Sequence, residues 1–171
     1  MLTSKKMTGT EFLRNLVKDK RVAIVGNAKI IFDKENGKKI DSYDVVIRFN
    51  RGFIIKPESQ GTKTDIVILA CEINLDEKAS YKAKAYVNRS KKTTCGDITL
   101  DNQMRKKWKD ILGAQPSSGL LAIDLCQDAK EIALFGFDWV SPTFYNPEGY
   151  ITKHNFEKER EIIQKMKLSI F

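Results

Sequence analysis

Three short stretches of this 171-residue chain hold residues whose types and spacing could do chemistry. His154, the single histidine, stands five residues ahead of Glu159. An imidazole with an ordinary pKa near ~6.5 can be neutral at physiological pH and accept a proton from an attacking hydroxyl. A lone histidine at a helix start is more commonly an incidental surface residue, and Glu157, Glu159 and Glu161 also read as a solvated face. Pro116-Ser117-Ser118-Gly119 runs into Leu120-Leu121-Ala122-Ile123, putting small hydroxyl residues at a helix start. The unpaired N–H groups and positive dipole end there favour an anion, although a serine N-cap needs no ligand. Gly26-Asn27 follows the apolar run Val22-Ala23-Ile24-Val25. A glycine at a strand end permits the tight turn that brings backbone N–H groups to a phosphate or base. A plain turn gives the same signal, and the GxGxxG dinucleotide fingerprint is not completed.

The elements that must position these residues follow from periodicity. Thr8 and Glu11 have capping-box spacing, and Phe12, Leu13, Leu16 and Val17 form a stripe, which predicts a helix over 8–20. Buried strands are predicted over 22–25, 44–50, 65–69 and 131–137. Helices are predicted over 101–112 and 117–127, with a surface helix over 155–167 carrying Phe156, Ile162, Ile163 and Met166. The polar, lysine-rich stretch 71–100 is weakly periodic and gives no prediction. Strands alternating with helices imply an α/β fold with a mainly parallel sheet flanked by helices, and in such sheets ligands sit beyond the carboxyl ends of the strands.

Length, with no repeat or linker, fits one domain over residues 1–171. Apolar residues at 42% and charged residues at 30% allow a real core and argue against disorder. The longest apolar run, from Ile66 to Cys71, is far too short to cross a bilayer, and no signal segment opens the chain, so a cytoplasmic protein without a membrane partner is expected. Three cysteines without CxxC spacing and one histidine make a zinc site improbable. The net charge of +8 favours anionic partners, or simply keeps a lysine-rich surface soluble.

In combination and order the stretches resemble a known family. From Val22 through Gly26-Asn27, Arg48-Phe49-Asn50-Arg51 and Gly61 to Asp65, the chain is similar to the long sialyl motif of eukaryotic-type sialyltransferases. Pro116 to Phe137 resembles the short sialyl motif, and His154 with Glu159 the very short H-x4-E motif. The resemblance implies a GT-A variant with one Rossmann-like domain and a metal-independent, inverting glycosyltransferase that uses a CMP-activated sugar. It places Gly26, Asn27 and Asn50 at the CMP part of the donor, Ser117, Ser118 and Gly119 beside the nucleotide, Glu159 in support, and His154 as general base.

The chain also departs from that pattern. The disulfide that joins the family's long and short motifs is replaced by Val22 and Ala129, which fits a reducing compartment. The third motif is represented at best by Phe144 and Tyr145, without its histidine, and Tyr145 is the candidate substitute against the donor phosphate. The acceptor stays open between a glycan and a hydroxymethylated base in phage DNA. For DNA, Lys82, Lys84, Arg89, Lys91, Lys92, Arg105, Lys106, Lys107 and Lys109 could follow phosphates, and a duplex would have to extrude the target base. A non-catalytic nucleic-acid-binding module that keeps the fold is the alternative from another class.

Overall fold

The computed structural model describes residues 7–140, 144–145 and 153–171. Seven strands, β1 (Arg21–Val25), β2 (Val45–Phe49), β3 (Ile66–Leu69), β4 (Ala85–Asn88), β5 (Ile98–Thr99), β6 (Glu131–Phe135) and β7 (Ser169–Ile170), form one sheet in the order β5-β4-β3-β2-β1-β6-β7. Every neighbouring pair is parallel. β2 and β3 are buried along their whole length because helices cover both faces, and they read as apolar runs apart from the buried Arg48 of β2.

Alternate strand residues divide between the faces. Val22, Ile24, Ile47, Phe49, Ile66 and Ile68 pack against α1 (Gly9–Val17), α5 (Asn102–Leu112), α6 (Ser118–Leu125) and α7 (Phe156–Gln164). Ala23, Val25, Val46, Ala133 and Phe135 pack on the other side against Ile31, Ile40 and Tyr43. α6 is buried on all sides, as its mostly apolar sequence demands, with Asp124 its one charged residue.

The predicted elements are all present, with ends shifted by a few residues. The capping box of α1 is made, with Glu11 N–H donating to Thr8 Oγ1 at 3.2 Å and Thr8 N–H to Glu11 Oε2 at 2.9 Å. Its stripe is narrower than expected: Leu13 and Val17 are buried, while Phe12 and Leu16 are 45% and 40% exposed. Residues four apart share a helix face, and only the 13/17 face meets the sheet layer. The unread stretch 71–100 holds α4 (Leu75–Tyr81), β4 and the two-residue β5. Two short helices, α2 (Gly37–Asp41) and α3 (Pro57–Gln60), a 3-10 turn at Lys29–Asp33 and β7 were also not predicted.

Val22 is buried in one core cluster with Ala129 packed against it, and Cys71, Cys95 and Cys126 are free thiols. No helix among the described residues is long and apolar enough to cross a membrane. The chain leaves β1 for β2 on one side and returns to it through β6 on the other. That reversal opens a crevice beyond the carboxyl ends of β1 and β6.

Candidate active site

A cleft of about 530 Å³ occupies that crevice. Gly26 and Asn27 enter it after β1, Asn50 and Arg51 after β2, Ala70 after β3, Arg89 after β4, and Phe137, Asp138 and Trp139 after β6. The N-terminal turn of α6, with Ser117, Ser118 and Gly119, forms one wall, and His154, Phe156 and Glu159 from the start of α7 another.

Glycine at position 26 is dictated by packing: a Cβ there would lie 2.5 Å from the Gly136 carbonyl oxygen of the neighbouring strand end. At position 119 a Cβ would meet the Phe137 ring at 2.6 Å, so the cleft floor passes over bare helix backbone. Helix geometry leaves the first N–H groups of α6 without an acceptor inside the helix. Ser117 Oγ accepts from Leu120 N–H at 3.1 Å, leaving the Ser118 and Gly119 turn to face the cleft. Asn27 Nδ2 donates to the Phe49 carbonyl at 3.2 Å, which ties the turn after β1 to that after β2. Asn50 sits in the left-handed region at φ 49°, which asparagine tolerates better than most residues. Its Oδ1 accepts from Ala70 N–H at 2.7 Å, and its carbonyl accepts from Tyr81 Oη at 2.8 Å. Trp139, also lining the cleft, holds φ 56°, a strained value for a bulky residue of the kind that gathers at functional sites.

The half-buried His154 Nδ1 is 2.8 Å from the Gln115 carbonyl oxygen. A carbonyl only accepts, so in the neutral ring Nδ1 carries the hydrogen and Nε2 the lone pair. Burial pushes the His154 pKa below the usual imidazole value and the charge of Arg89 pushes the same way, against the Gln115 bond. Both effects favour the neutral form of the ring.

Glu159 is buried at 1% exposure, not on a solvated face, whereas Glu157 and Glu161 are exposed. It accepts from Ser117 N–H at 2.7 Å and Ser117 Oγ at 2.6 Å. Burial raises its pKa, opposed by those two bonds. The carboxyl thus fastens α7, which carries His154 at its start, to the N-terminal turn of α6. Ser117 spends its hydroxyl on Glu159 and on capping α6.

Tyr145 stands apart from the cleft lining. Its ring packs on Phe32, and its hydroxyl lies 3.3 Å from both Gln60 Nε2 and the Phe53 carbonyl. Phe144 lines the cleft instead, beside Phe156, which stacks edge-on with His154. Arg89 is half-buried and donates to the Pro116 carbonyl ahead of α6, and Arg51 pairs with Glu77 at 2.6 Å. Sequence reasoning placed neither arginine in this cleft; Arg51 adjoins Asn50 in the long motif, while Arg89 lay in the unread stretch. Of the nine cations named for DNA, Arg89, Lys91, Lys92, Arg105 and Lys107 line a second, adjoining groove; Lys82, Lys84, Lys106 and Lys109 do not. Among the described residues no group of three or more His, Cys, Asp or Glu converges as a metal site requires.

Residues 7–95 match the family model described as glycosyltransferase family 29 (sialyltransferase). The type 2 lactosamine alpha-2,3-sialyltransferase of Mus musculus is 36% identical over 63 residues, covering 36% of this chain and 19% of that protein. Its Homo sapiens counterpart is 44% identical over 41 residues, 24% of this chain and 12% of that one. The aligned stretches thus span a fifth or less of these relatives. A mammalian sialyltransferase in complex with Gal-beta-1-3GalNAc-ortho-nitrophenol shares the fold at a TM-score of 0.66 and 18% identity, over 92% of this chain and 71% of that one. A Campylobacter jejuni sialyltransferase in complex with the substrate analogue CMP-3FNeuAc aligns at a TM-score of 0.55 and 15% identity, over 89% and 79% of the two chains. The family model covers more than half of the sequence, the motifs it spans close one side of the cleft, and the chain belongs to the sialyltransferases of glycosyltransferase family 29.

Proposed function

We propose that this protein is an inverting, metal-independent glycosyltransferase that moves sialic acid or a related sugar from a CMP-activated donor to an acceptor hydroxyl. One observation carries the reading: His154, its Nδ1 2.8 Å from the Gln115 carbonyl oxygen, shares a cleft with the N-terminal turn of α6.

In the proposed reaction the acceptor oxygen attacks the anomeric carbon of the donor from the face opposite the phosphate. Its proton passes to His154 Nε2, the bond between the anomeric carbon and the phosphate oxygen breaks, and CMP departs with that electron pair. Configuration inverts because one displacement occurs. Negative charge grows on the leaving phosphate, and the N–H groups of Ser118 and Gly119 with the guanidinium of Arg89 supply the compensating positive field a metal supplies elsewhere. Gly26, Asn27 and Asn50 hold the nucleotide at the strand ends. Glu159 acts through Ser117 as a positioning residue.

A saccharide acceptor accords with the compounds named with the relatives. A hydroxymethylated base in DNA is the second reading, favoured by the +8 charge and the cations beside the cleft. Free thiols and the apolar pair Val22 and Ala129 support a reducing, cytoplasmic setting.

The test is incubation with CMP-sialic acid in EDTA, offering an oligosaccharide mixture and hydroxymethylcytosine DNA in parallel, read by mass spectrometry. A sugar mass on either acceptor supports transfer and names the acceptor. CMP binding with neither product, and no donor hydrolysis, would mean a binding module that keeps the fold without the reaction.

A further inference from the structure

Beside the donor cleft lies a larger groove of about 1040 Å³, walled by α1, α5 and the loop after β4. Six cationic side chains line it, Arg14, Arg89, Lys91, Lys92, Arg105 and Lys107, against the carboxyls of Glu11, Asp101 and Asp124. Asp124 is 1% exposed, and its charge is taken up at the floor by Arg14 at 3.2 Å, Lys107 at 3.4 Å and Trp108 Nε1–H at 2.6 Å. Lys91 and Lys92 stand exposed on the rim. Arg89 lines both spaces, so the groove adjoins the cleft that holds His154.

We propose that this groove is the acceptor site and takes an acidic oligosaccharide, one bearing carboxylate or phosphate groups. The inference rests on reading the adjoining cleft as the donor site. Charge selects an anion. The rest of the lining selects a sugar over a nucleic acid: hydroxyl and amide groups of Thr8, Ser90, Thr99, Asn102 and Gln103 match sugar hydroxyls. Among the described residues no aromatic side chain lines the groove, whereas exposed bases are usually held by stacking on one. An anion bound across Lys91, Lys92 and Arg105 lays the rest of the oligosaccharide along the groove toward the cleft of His154.

The experiment is calorimetric titration of the full chain, with and without CMP, using tetragalacturonate, a phosphorylated pentamannose, neutral maltotetraose, oligothymidylate and a short DNA duplex. One or both acidic sugars should bind at least tenfold more tightly than maltotetraose and more tightly than either DNA, weakening as salt rises. The Lys91→Ser/Lys92→Ser variant should bind the acidic sugar about fivefold to tenfold more weakly, a scale set by two exposed charge contacts. Its CMP affinity and melting temperature should match those of the parent, which shows that it is folded. Equal binding of acidic and neutral sugars, tighter binding of DNA, or full affinity in the double variant would each overturn the proposal. Failure of CMP to bind would strike the donor reading instead, and the sugar titrations without CMP still decide the groove.

Discussion

The donor cleft is shaped mostly by backbone: strand-end turns, the bare N-terminus of α6, and glycines where a Cβ would strike a neighbour. The adjoining groove is shaped by long charged side chains standing on α1, α5 and a loop. They meet at Arg89. The difference separates chemistry from recognition. A reacting centre needs groups held within tenths of an ångström, which a parallel sheet and buried helix starts provide. An anion can be gathered by flexible lysines at little cost in precision.

The contrast is broken most severely at His154. Replacing it by alanine should cut turnover by about 10² to 10⁴ while leaving CMP affinity within about twofold of the parent. Calorimetry and a product assay on one preparation check both parts, and unchanged turnover would name a different base. Next in size is Gly119→Val. The Phe137 ring must yield to the new side chain, so a loss of about 1 to 3 kcal/mol in denaturant stability is expected, together with weaker CMP binding. An unaltered protein would mean the floor is looser than its contacts suggest.

Asp124→Ala tests the floor of the groove. It strips the Trp108 indole N–H of its acceptor and leaves Arg14 and Lys107 facing each other, for a cost of about 2 kcal/mol in urea unfolding. Glu159→Gln is the mildest change. An amide still accepts from Ser117, so stability should hold within about 1 kcal/mol; the Ser117 hydroxyl loses a charge-assisted bond, and CMP affinity should fall a few fold. The pH profile sharpens the assignment. Because the folded-state pKa of His154 is depressed, the active neutral ring persists into mild acid. The acid limb of kcat/KM should therefore have its midpoint below the ordinary imidazole value of ~6.5. A midpoint at or above that value in wild type, or an identical limb in Glu159→Gln and His154→Ala, contradicts the role given to the ring.

The two regions also differ in how far sequence reveals them. β1, β2, β3 and β6 were legible because strands covered on both faces are mostly apolar, with Arg48 a buried exception, and α6 because Ser117 stands ahead of the apolar run from Leu120 to Ile123. Gly26, Asn27, Ser118 and Gly119 fall at the ends of those same elements, and the family resemblance tied His154 and Glu159 on α7 to them. β4 and β5 escaped because they lie toward the sheet edge, short and only partly buried, so no apolar run marks them. Asn74 and Glu77 did offer a capping-box spacing for α4, but the surrounding lysines hid any periodicity. The groove could not be foreseen: Arg14, Lys91 and Lys107 are brought together by tertiary folding alone, and nothing in their local pattern separates them from Lys82 or Lys109. Tyr145 shows the converse, since its aromatic ring signalled a site but is spent on packing against Phe32.

The central claim is that the cleft beyond β1 and β6 is a nucleotide-sugar site. Its most direct test is a calorimetric titration of the wild-type chain with CMP in EDTA, with UMP and AMP as comparisons. Saturable binding of CMP at one site per chain, stronger than either comparison nucleotide and weakened in Gly119→Val, is the predicted result. A folded protein that shows no CMP binding at millimolar concentration, or that binds AMP equally well, would contradict it.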